Sequence, residues 1–143
     1  MIGSKGVTLI ELVIVLIILI TLSVVFLKNL STFNKANSIE DDCKKIYAFL
    51  QEMRLKAFSQ KQVLNIELNG NGTRLCETVQ GDCIDLNNRF SASGNFTISK
   101  RGLFQTPGNI RALTSQGNPT YSCVAVSNTR VRLGEWNGSC VPK

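Results

Sequence analysis

The chain has 143 residues, which is enough for one domain or for one domain with a tail. It contains no histidine, which excludes histidine-based catalytic triads, histidine metal sites and the usual general base near neutral pH. Its net charge of +6 is unevenly distributed along the chain. Nine basic and nine acidic side chains cancel in residues 1–88, whereas from Arg89 onward there are seven basic side chains and one acidic side chain, Glu135. The basic C-terminal part indicates either an anionic partner or a solvated basic surface.

A long apolar stretch begins near the N-terminus. The 21 residues from 7 to 27 are interrupted only by Thr8, Glu11, Thr21 and Ser23. As an α-helix they would extend roughly 32 Å, which is enough to cross the hydrocarbon core of a bilayer. A cleaved secretory signal would have a shorter apolar core, of about 7–15 residues, and a small-residue cleavage site. A plain membrane anchor fits the length but leaves Glu11 unexplained, because an unpaired carboxylate in a bilayer costs several kcal/mol.

Proteolytic processing is a third interpretation, and it explains Glu11. Residues 1–6, MIGSKG, form a short polar leader that ends in glycine. Cleavage after Gly6 would make Val7 the new N-terminus and would place Glu11 about one helical turn from an amine. The ammonium group of a neighbouring subunit would then neutralise the carboxylate when the helices pack together. The acid would therefore penalise a lone helix in lipid and favour an assembled bundle.

The heptapeptide GVTLIEL at residues 6–12 resembles the prepilin processing site of type IV pilins and type II secretion pseudopilins. The resemblance implies that a prepilin peptidase cleaves after Gly6 and methylates the new N-terminal amine. It also implies that Glu11 is the acid used in assembly. Val7 stands where most members of the family have Phe or Met.

The same resemblance implies an organisation for the whole chain. Residues 1–6 would be the leader peptide, residues 7–28 a transmembrane helix that later lies in a filament core, and residues 29–143 a periplasmic globular domain. The implied location is the inner membrane, crossed once, and then a pilus outside the cell or a periplasmic pseudopilus. The implied partners are other pilins or pseudopilins, the prepilin peptidase and the inner-membrane assembly platform.

The helix is predicted to span residues 7–58, because no proline occurs before Pro107. After a polar patch, apolar residues recur at spacings of three and four, which is typical of one face of an amphipathic helix. That face comprises Ile39, Cys43, Ile46, Leu50, Met53 and Ala57. We expect Tyr47 and Phe58 to widen it. We also expect the helix to loosen at residues 34–37, with Ser38 as an N-cap if it restarts there.

After residue 60 the pattern changes to that of β-strands. Residues 62–68 partly alternate in polarity, and residues 69–72 (NGNG) form a strong turn signal. Residues 73–79 are predicted to run back along the first strand, which makes a β-hairpin. Further strands are predicted at residues 95–99, 110–113, 120–127 and 129–135. A helix followed by antiparallel strands predicts an α+β domain in which the amphipathic half of the helix packs on one face of a sheet. The N-terminal resemblance implies that this domain has the pilin fold.

The chain has five cysteines, and none of them belongs to a C-x-x-C pair. This pattern argues against zinc binding and thioredoxin-type redox chemistry, and it favours disulfides in a domain beyond a membrane. Cys76 and Cys83 enclose a short loop and Cys123 and Cys140 a longer one, so both pairs are candidate disulfides, although any four cysteines allow three pairings. Cys43 lies on the apolar helix face, and it is either a buried free thiol or the partner of Cys76 or Cys83.

The soluble part resembles the GspH/FimT subfamily of minor pilins in three scattered segments. These are a helix pattern L…R..A, a strand and turn F…G, and a C-terminal S..GRVR element, at residues 50–57, 96–102 and 126–133. Thr129 stands where the subfamily usually has Gly. Some members of this subfamily bind DNA through the C-terminal region during natural transformation, so the resemblance implies double-stranded DNA as a partner.

Arg130 and Arg132 are the main candidates for that contact. They are predicted to point to the same face of a strand, because side chains alternate along it. Guanidinium groups suit phosphates, since they donate in a planar fork and stay charged. The candidate neighbours are Arg111, Lys100, Arg101 and Lys143. The alternatives are a solvated strand edge and ion pairs with acidic patches of adjacent pilins. Trp136 and Tyr121 are either stacking platforms for single-stranded bases or core and rim residues.

Three functions compete. The leading one is a minor type IV pilin that primes pilus assembly or binds DNA for uptake, and the first alternative is a minor pseudopilin of a type II secretion system. The N-terminal chemistry is shared, whereas the disulfide loops and the basic C-terminal part favour the pilus. The second alternative, a membrane-anchored hydrolase, is opposed by the missing histidine and by the lack of a Gly-x-Ser-x-Gly or paired-carboxylate motif. We therefore predict no enzymatic activity, and no catalytic residue, cofactor or metal is assigned.

Overall fold

The computed structural model describes residues 8–114 and 116–143, without the side chains of residues 25 and 27–29. The chain divides into two compact units, the first ending at Asn34 and the second running from Lys35 to Lys143. The helix α1 spans Leu9–Gln60, which confirms the long helix predicted from the apolar pattern. Residues 34–37 are helical like their neighbours, so the predicted loosening is not observed.

In the first unit, every described side chain of the helix is exposed. Two of the three hydroxyl groups inside the apolar stretch donate to carbonyl groups within the helix itself. Thr21 donates a hydrogen bond to the backbone carbonyl of Ile18 at 2.9 Å, and Ser23 donates to that of Leu19 at 2.7 Å. Intrahelical bonding of this kind satisfies the hydroxyl donors of Thr21 and Ser23 in an apolar environment.

The membrane span predicted for residues 7–28 includes positions that the structure does not describe, namely residue 7 and the side chains of residues 25, 27 and 28. In the described parts of the chain, none of the helical segments combines the length and the apolar character that crossing a membrane requires.

In the second unit, α1 buries the predicted apolar stripe. All six residues assigned to that face are at most 1% exposed. Phe49, at 5% exposure, extends the buried surface, and Tyr47 is half-buried as expected. The expectation that Phe58 widens the stripe is wrong, because one residue beyond Ala57 turns the side chain about 100° around the helix. Phe58 is 54% exposed, and the Lys61 ammonium lies 3.9 Å from the centroid of its ring.

Two antiparallel sheets pack against this part of the helix. Their strands are β1 Leu64–Asn69, β2 Arg74–Glu77, β3 Cys83–Asp85, β4 Phe90–Ala92, β5 Phe96–Ile98, β6 Gly108–Ala112, β7 Cys123–Val126, β8 Val131–Trp136 and β9 Cys140–Pro142. A four-stranded sheet has the order β3-β2-β1-β5, and a five-stranded sheet has the order β4-β6-β7-β8-β9. The sequence predicts one sheet, so the division into two is a correction.

The hairpin and the four later strands are where the sequence predicts them. β1 pairs with β2 across a short 3-10 turn at Gly70–Gly72, with Ile66 opposite Glu77. β5 to β8 correspond to the strands predicted after residue 94. β3, β4 and β9 are not predicted, and each has three residues, a length at which alternation in polarity is a weak signal. β5 is equally short, but it lies within the predicted segment 95–99.

One core joins the helix stripe to the inner faces of both sheets. Its largest fully buried side chains include Phe90, Phe96 and Phe104, which are at most 2% exposed. Burying a side chain of this size contributes about 1.5–3 kcal/mol. Because the inner faces of the two sheets are buried in the core, only their outward faces can contact partners.

A buried carboxylate ties α1 to the loop between β3 and β4. Asp42 is 0% exposed, and it accepts hydrogen bonds of 2.8 Å from both the backbone N–H and the side-chain amide of Asn88. Weaker bonds come from Asn87 at 3.4 Å and Lys45 at 3.5 Å. The Asn88 amide also donates to the Ser38 hydroxyl at 2.9 Å. Ser38 is thus a tertiary hydrogen-bond acceptor inside a continuous helix, and its predicted role as an N-cap is wrong.

The cysteines form the two predicted disulfides. Cys76 bonds to Cys83 between paired strands, and Cys123 bonds to Cys140 between β7 and β9. Cys43 is a buried free thiol, as one of the two interpretations expects. Burial raises the pKa of this thiol from 9.0 to about 12, and the neighbouring carboxylates add to the shift. A thiol with so high a pKa stays protonated and packs as a small apolar group.

Candidate functional site

Two regions carry the residues assigned to function, and the first is the start of α1. Gly6 and Val7, the predicted processing site, lie outside the described residues. Glu11 lies in the first helical turn, where its backbone N–H donates to the Thr8 carbonyl at 3.0 Å. A helix N-terminus favours negative charge, so a carboxylate is stabilised there. No partner for the Glu11 side chain occurs among the described residues.

The second region is the side of the five-stranded sheet that faces away from the core, here called the outer face. Along β6 to β8, Ile110, Val124 and Val131 are buried in the core, whereas the residues that alternate with them face outward. The strand residues of the outer face are Ser91, Asn109, Arg111, Cys123, Ala125, Arg132, Gly134, Trp136, Cys140 and Pro142. None of these residues carries a carboxylate, so the face has a positive charge.

Arg130 and Arg132 lie close together at one end of the outer face. Arg130 is in the turn between β7 and β8, and its backbone N–H and carbonyl both bond to Ser127. Both arginines line a cavity of about 290 Å³ that also contains Pro142. The turn needs no glycine, because Thr129 has no positive φ. The side chains of both arginines are exposed and make no ion pair with any described residue.

Arg111 and Trp136 form a stacked pair elsewhere on the same face. The guanidinium carbon of Arg111 lies 4.5 Å from the centroid of the indole ring. Such a cation–π contact contributes about 0.5–2 kcal/mol, and it also limits the rotamers of the arginine. The sequence predicts that Trp136 is either a base-stacking platform or a rim residue. The ring is half-buried, and Arg111 covers one side of it.

The Cys123–Cys140 disulfide crosses the outer face between these two arginine positions. Cys123 pairs with Gly134, and Cys140 pairs with Trp136, so the bridge passes from β7 to β9 over β8. Gly134 lies beneath it, where an added Cβ would come within 2.5 Å of the Val141 carbonyl oxygen. The close approach of the β9 backbone therefore requires a glycine at this point, and the Cys140 sulfur lies 3.1 Å from the position of the added Cβ.

The remaining predicted cations are placed elsewhere. Lys100 and Arg101 line a cavity of about 520 Å³ beside the four-stranded sheet, which also contains Asn128 from the turn before Arg130. Lys143 forms an ion pair with Glu135 at 2.6 Å, and alternation along β8 places Glu135 on the opposite side of the strand from Arg132. The structure therefore groups Arg130 with Arg132, brings Arg111 onto the same face, and separates Lys143 from them.

The fold resembles that of a known protein. A crystal structure of the type IV minor pilin FimU from Pseudomonas aeruginosa (strain PAO1) superposes with a TM-score of 0.56 and 18% sequence identity. The match covers 76% of this chain and 99% of the FimU chain. This chain has the pilin fold. The pilin fold confirms the predicted fold class, a long helix packed on antiparallel strands.

Comparisons of sequence alone find no counterpart. No protein-family model matches the chain, and no curated protein matches it. The pilin fold is therefore recognisable from the three-dimensional arrangement, and the function is argued below from the residues themselves.

Two features of the outer face escape prediction from sequence. The pairing of Arg111 with Trp136 joins residues on strands that are separated by β7, and no spacing rule connects them. The Cys123–Cys140 disulfide itself is predicted, but its course over β8 is not, although the single Gly between strand residues at position 134 is a signal for a close approach. Tyr121, the other aromatic candidate, is half-buried against the core, in agreement with the interpretation as a core or rim residue.

Proposed function

We propose that this protein is a minor type IV pilin of the GspH/FimT type, which enters a filament through its N-terminal helix and helps to prime assembly. The observation that carries the proposal is a pilin fold preceded by a helix whose described side chains are exposed and largely apolar up to Phe33. Exposed apolar surface on this scale needs a covering, either lipid or other helices. Because pilin helices pack side by side in a filament, the same surface suits both environments.

In this proposal Glu11 makes the helix favour the assembled filament over a lone position in lipid. A carboxylate in an apolar environment costs several kcal/mol unless it is paired. After cleavage behind Gly6, the amine of Val7 on a neighbouring subunit would be the partner. A lone helix in lipid then carries an unpaired carboxylate, and in the filament the amine of the neighbouring subunit neutralises that charge.

Processing is the first test of the proposal. Mass spectrometry of the protein from cells with an active prepilin peptidase should show the loss of residues 1–6 and one added methyl group on Val7. A G6A variant (Gly6→Ala) is the matched control and should keep the leader. An intact leader in the unaltered protein would refute the pilin assignment.

Assembly is the second test. Glu11→Ala should reduce incorporation into sheared filaments at least about tenfold, the equivalent of one missing ion pair of about 1.4 kcal/mol or more, while the amount in the membrane fraction stays the same. Glu11→Asp keeps the charge and should retain part of the incorporation. Incorporation of the alanine variant at the level of the unaltered chain would show that the ion pair is not used.

The pseudopilin alternative shares all of this N-terminal chemistry. Deletion of the gene separates the two, because a minor pilin is needed for surface filaments and a pseudopilin for the secretion of exoproteins. The basic outer face favours the pilus, since a surface filament meets extracellular polyanions.

We further propose that the outer face binds double-stranded DNA. The observation in favour is that Arg130 and Arg132 are exposed and unpaired on a face whose outward-pointing strand residues include no carboxylate. Contacts of this kind address phosphates, so binding should be independent of sequence and strongly dependent on salt. The R130Q/R132Q variant, tested as the full chain in a non-ionic detergent, should lower the slope of log K against log salt by about 1.8, because each phosphate that is no longer neutralised lowers it by about 0.9.

Arg74→Gln is the matched control for this experiment. Arg74 is an exposed arginine of β2, in the other sheet, and it pairs with Asp85 at 3.2 Å. Its removal changes the net charge by one and leaves the outer face intact. Equal effects of the control and the test variant, per charge removed, would refute a localised site.

A further inference from the structure

A polar cavity lies on the outer face beside the stacked pair of Arg111 and Trp136. It has a volume of about 380 Å³, and its lining includes Ser91, Ser93 and Asn109 in addition to that pair. Hydroxyl, amide and guanidinium groups are the side-chain donors that bind phosphate oxygens in proteins. No carboxylate lines the cavity.

The indole ring of Trp136 orients the guanidinium group of Arg111, but no described residue accepts a hydrogen bond from it. In the described parts of the chain it makes the contact with the indole ring and no ion pair or hydrogen bond. Stacking on a ring leaves the N–H groups at the edge of the guanidinium plane available to an acceptor. Trp136 thus holds a five-donor group beside the cavity with its donors unsatisfied by protein.

The location of this cavity relative to Arg132 follows from the strand register. Arg111 lies in the row of Cys123 and Gly134, and Arg132 in the adjacent row of Asn109 and Ala125. Two strand spacings of about 4.8 Å and two residues of about 3.4 Å separate the two Cα atoms by roughly 12 Å. A separation of this size lets both arginines contact phosphates of one DNA backbone, because each strand carries a phosphate at every nucleotide.

We propose that the Arg111 cavity is a second phosphate subsite for the same DNA backbone that Arg130 and Arg132 contact, and that Trp136 positions Arg111 and does not stack on bases. The inference rests on the DNA-binding function proposed above. It assigns to the outer face a footprint that extends from the β7–β8 turn to β6, with the Cys123–Cys140 disulfide between the two subsites.

The first experiment is a salt titration of duplex DNA binding by the full chain in a non-ionic detergent. Arg111→Gln should weaken binding about tenfold at about 50 mM salt and reduce the slope of log K against log salt by about 0.9, the value for one phosphate contact. Arg74→Gln, the control in the other sheet, should leave both quantities unchanged. An Arg111 variant that behaves like the control overturns the subsite.

The second experiment separates positioning from base stacking. Trp136→Phe keeps an aromatic face for Arg111 and should retain affinity within about threefold, whereas Trp136→Leu should reproduce the weaker binding and the lower salt slope of the Arg111 variant. Equal midpoints of thermal unfolding in the two variants exclude a general loss of structure. If leucine at this position leaves the salt slope unchanged, Trp136 has no positioning role.

The fluorescence of the protein provides an independent measurement, because Trp136 is the one tryptophan in the chain. Duplex DNA should change its emission in the unaltered chain and leave it unchanged in the Arg111→Gln variant. Single-stranded DNA with the same number of phosphates should cause a similar change. Quenching by single-stranded DNA that greatly exceeds the effect of the duplex would show base stacking and overturn the positioning role.

The outcomes distinguish the two proposals. If the unaltered chain does not bind duplex DNA, both the DNA-binding function and the subsite fall. If it binds and the R130Q/R132Q variant loses the binding while Arg111→Gln does not, the function stands and the subsite alone is overturned.

Discussion

Replacing Asp42 by alanine should destabilise the second unit more than any other single change on the polar side of the helix. The carboxylate is fully buried and accepts two hydrogen bonds of 2.8 Å from Asn88, together with two weaker ones. Alanine removes the acceptor and leaves the Asn88 backbone N–H and one of its two amide N–H groups without a partner. The connection between α1 and the β3–β4 loop is weakened at the same time, although the Asn88 amide still donates to the Ser38 hydroxyl at 2.9 Å.

The expected magnitude follows from these bonds. A hydrogen bond to a charged group contributes about 1.5–3 kcal/mol, and removing two short ones with partial relaxation of the loop costs about 3 kcal/mol. For the unit Lys35–Lys143, an unfolding entropy of about 2.1 cal/mol/K per residue converts this loss to a fall of about 13 °C in the unfolding midpoint. Thermal and urea unfolding, monitored by far-ultraviolet circular dichroism, measure both quantities.

Asp41 provides the matched control, since it is the preceding residue on the same helix. Its carboxylate is 67% exposed and forms one ion pair with Lys44 at 3.7 Å. Exposed pairs of this kind contribute less than about 1 kcal/mol, so Asp41→Ala should shift the midpoint by only about 2–4 °C or less. Asp42→Asn keeps one acceptor and should fall between the two. If Asp42→Ala is no less stable than Asp41→Ala, the carboxylate does not hold the loop.

Two further predictions concern buried positions. Cys43 should resist alkylation in the folded chain up to about pH 9 and react on unfolding. Because burial raises the pKa of this thiol from 9.0 to about 12, the unfolded state loses the proton first, and the free energy of unfolding should fall by up to about 1.4 kcal/mol per pH unit between pH 9.0 and about 12. Cys43→Ala should reduce this slope. Gly134→Ala should destabilise the chain by about 2 kcal/mol, because the new Cβ would come within 2.5 Å of the Val141 carbonyl oxygen, whereas Gly94→Ala enters open space and should have no effect beyond about 0.5 kcal/mol. Urea denaturation curves test both, and a Gly134 variant as stable as the Gly94 variant would show that the strands beneath the disulfide can separate.

The N-terminal chemistry and the helix could be predicted from local patterns. Residues 6–12 carry a short contiguous motif, and the stripe from Ile39 to Ala57 repeats at helical spacing, so neither depends on distant contacts. The hairpin of β1 and β2 is equally local, because the NGNG turn joins strands that are neighbours in the chain. The two disulfides could be proposed from loop lengths, although the choice among pairings required the folded chain.

The arrangement of the sheets and of the outer face could only be decided by tertiary structure. β3, β4 and β9 are strands because a longer neighbour offers its edge, and three residues carry too little pattern to show this beforehand. Arg111 meets Trp136 across β7, and Asp42 meets Asn88 across 46 residues, so both contacts arise when strands and helix pack on a common core. Local sequence thus determined which segments form the helix and the longer strands, because period and turn chemistry act over a few residues, whereas packing decided which polar side chains share a face and can bind one partner together.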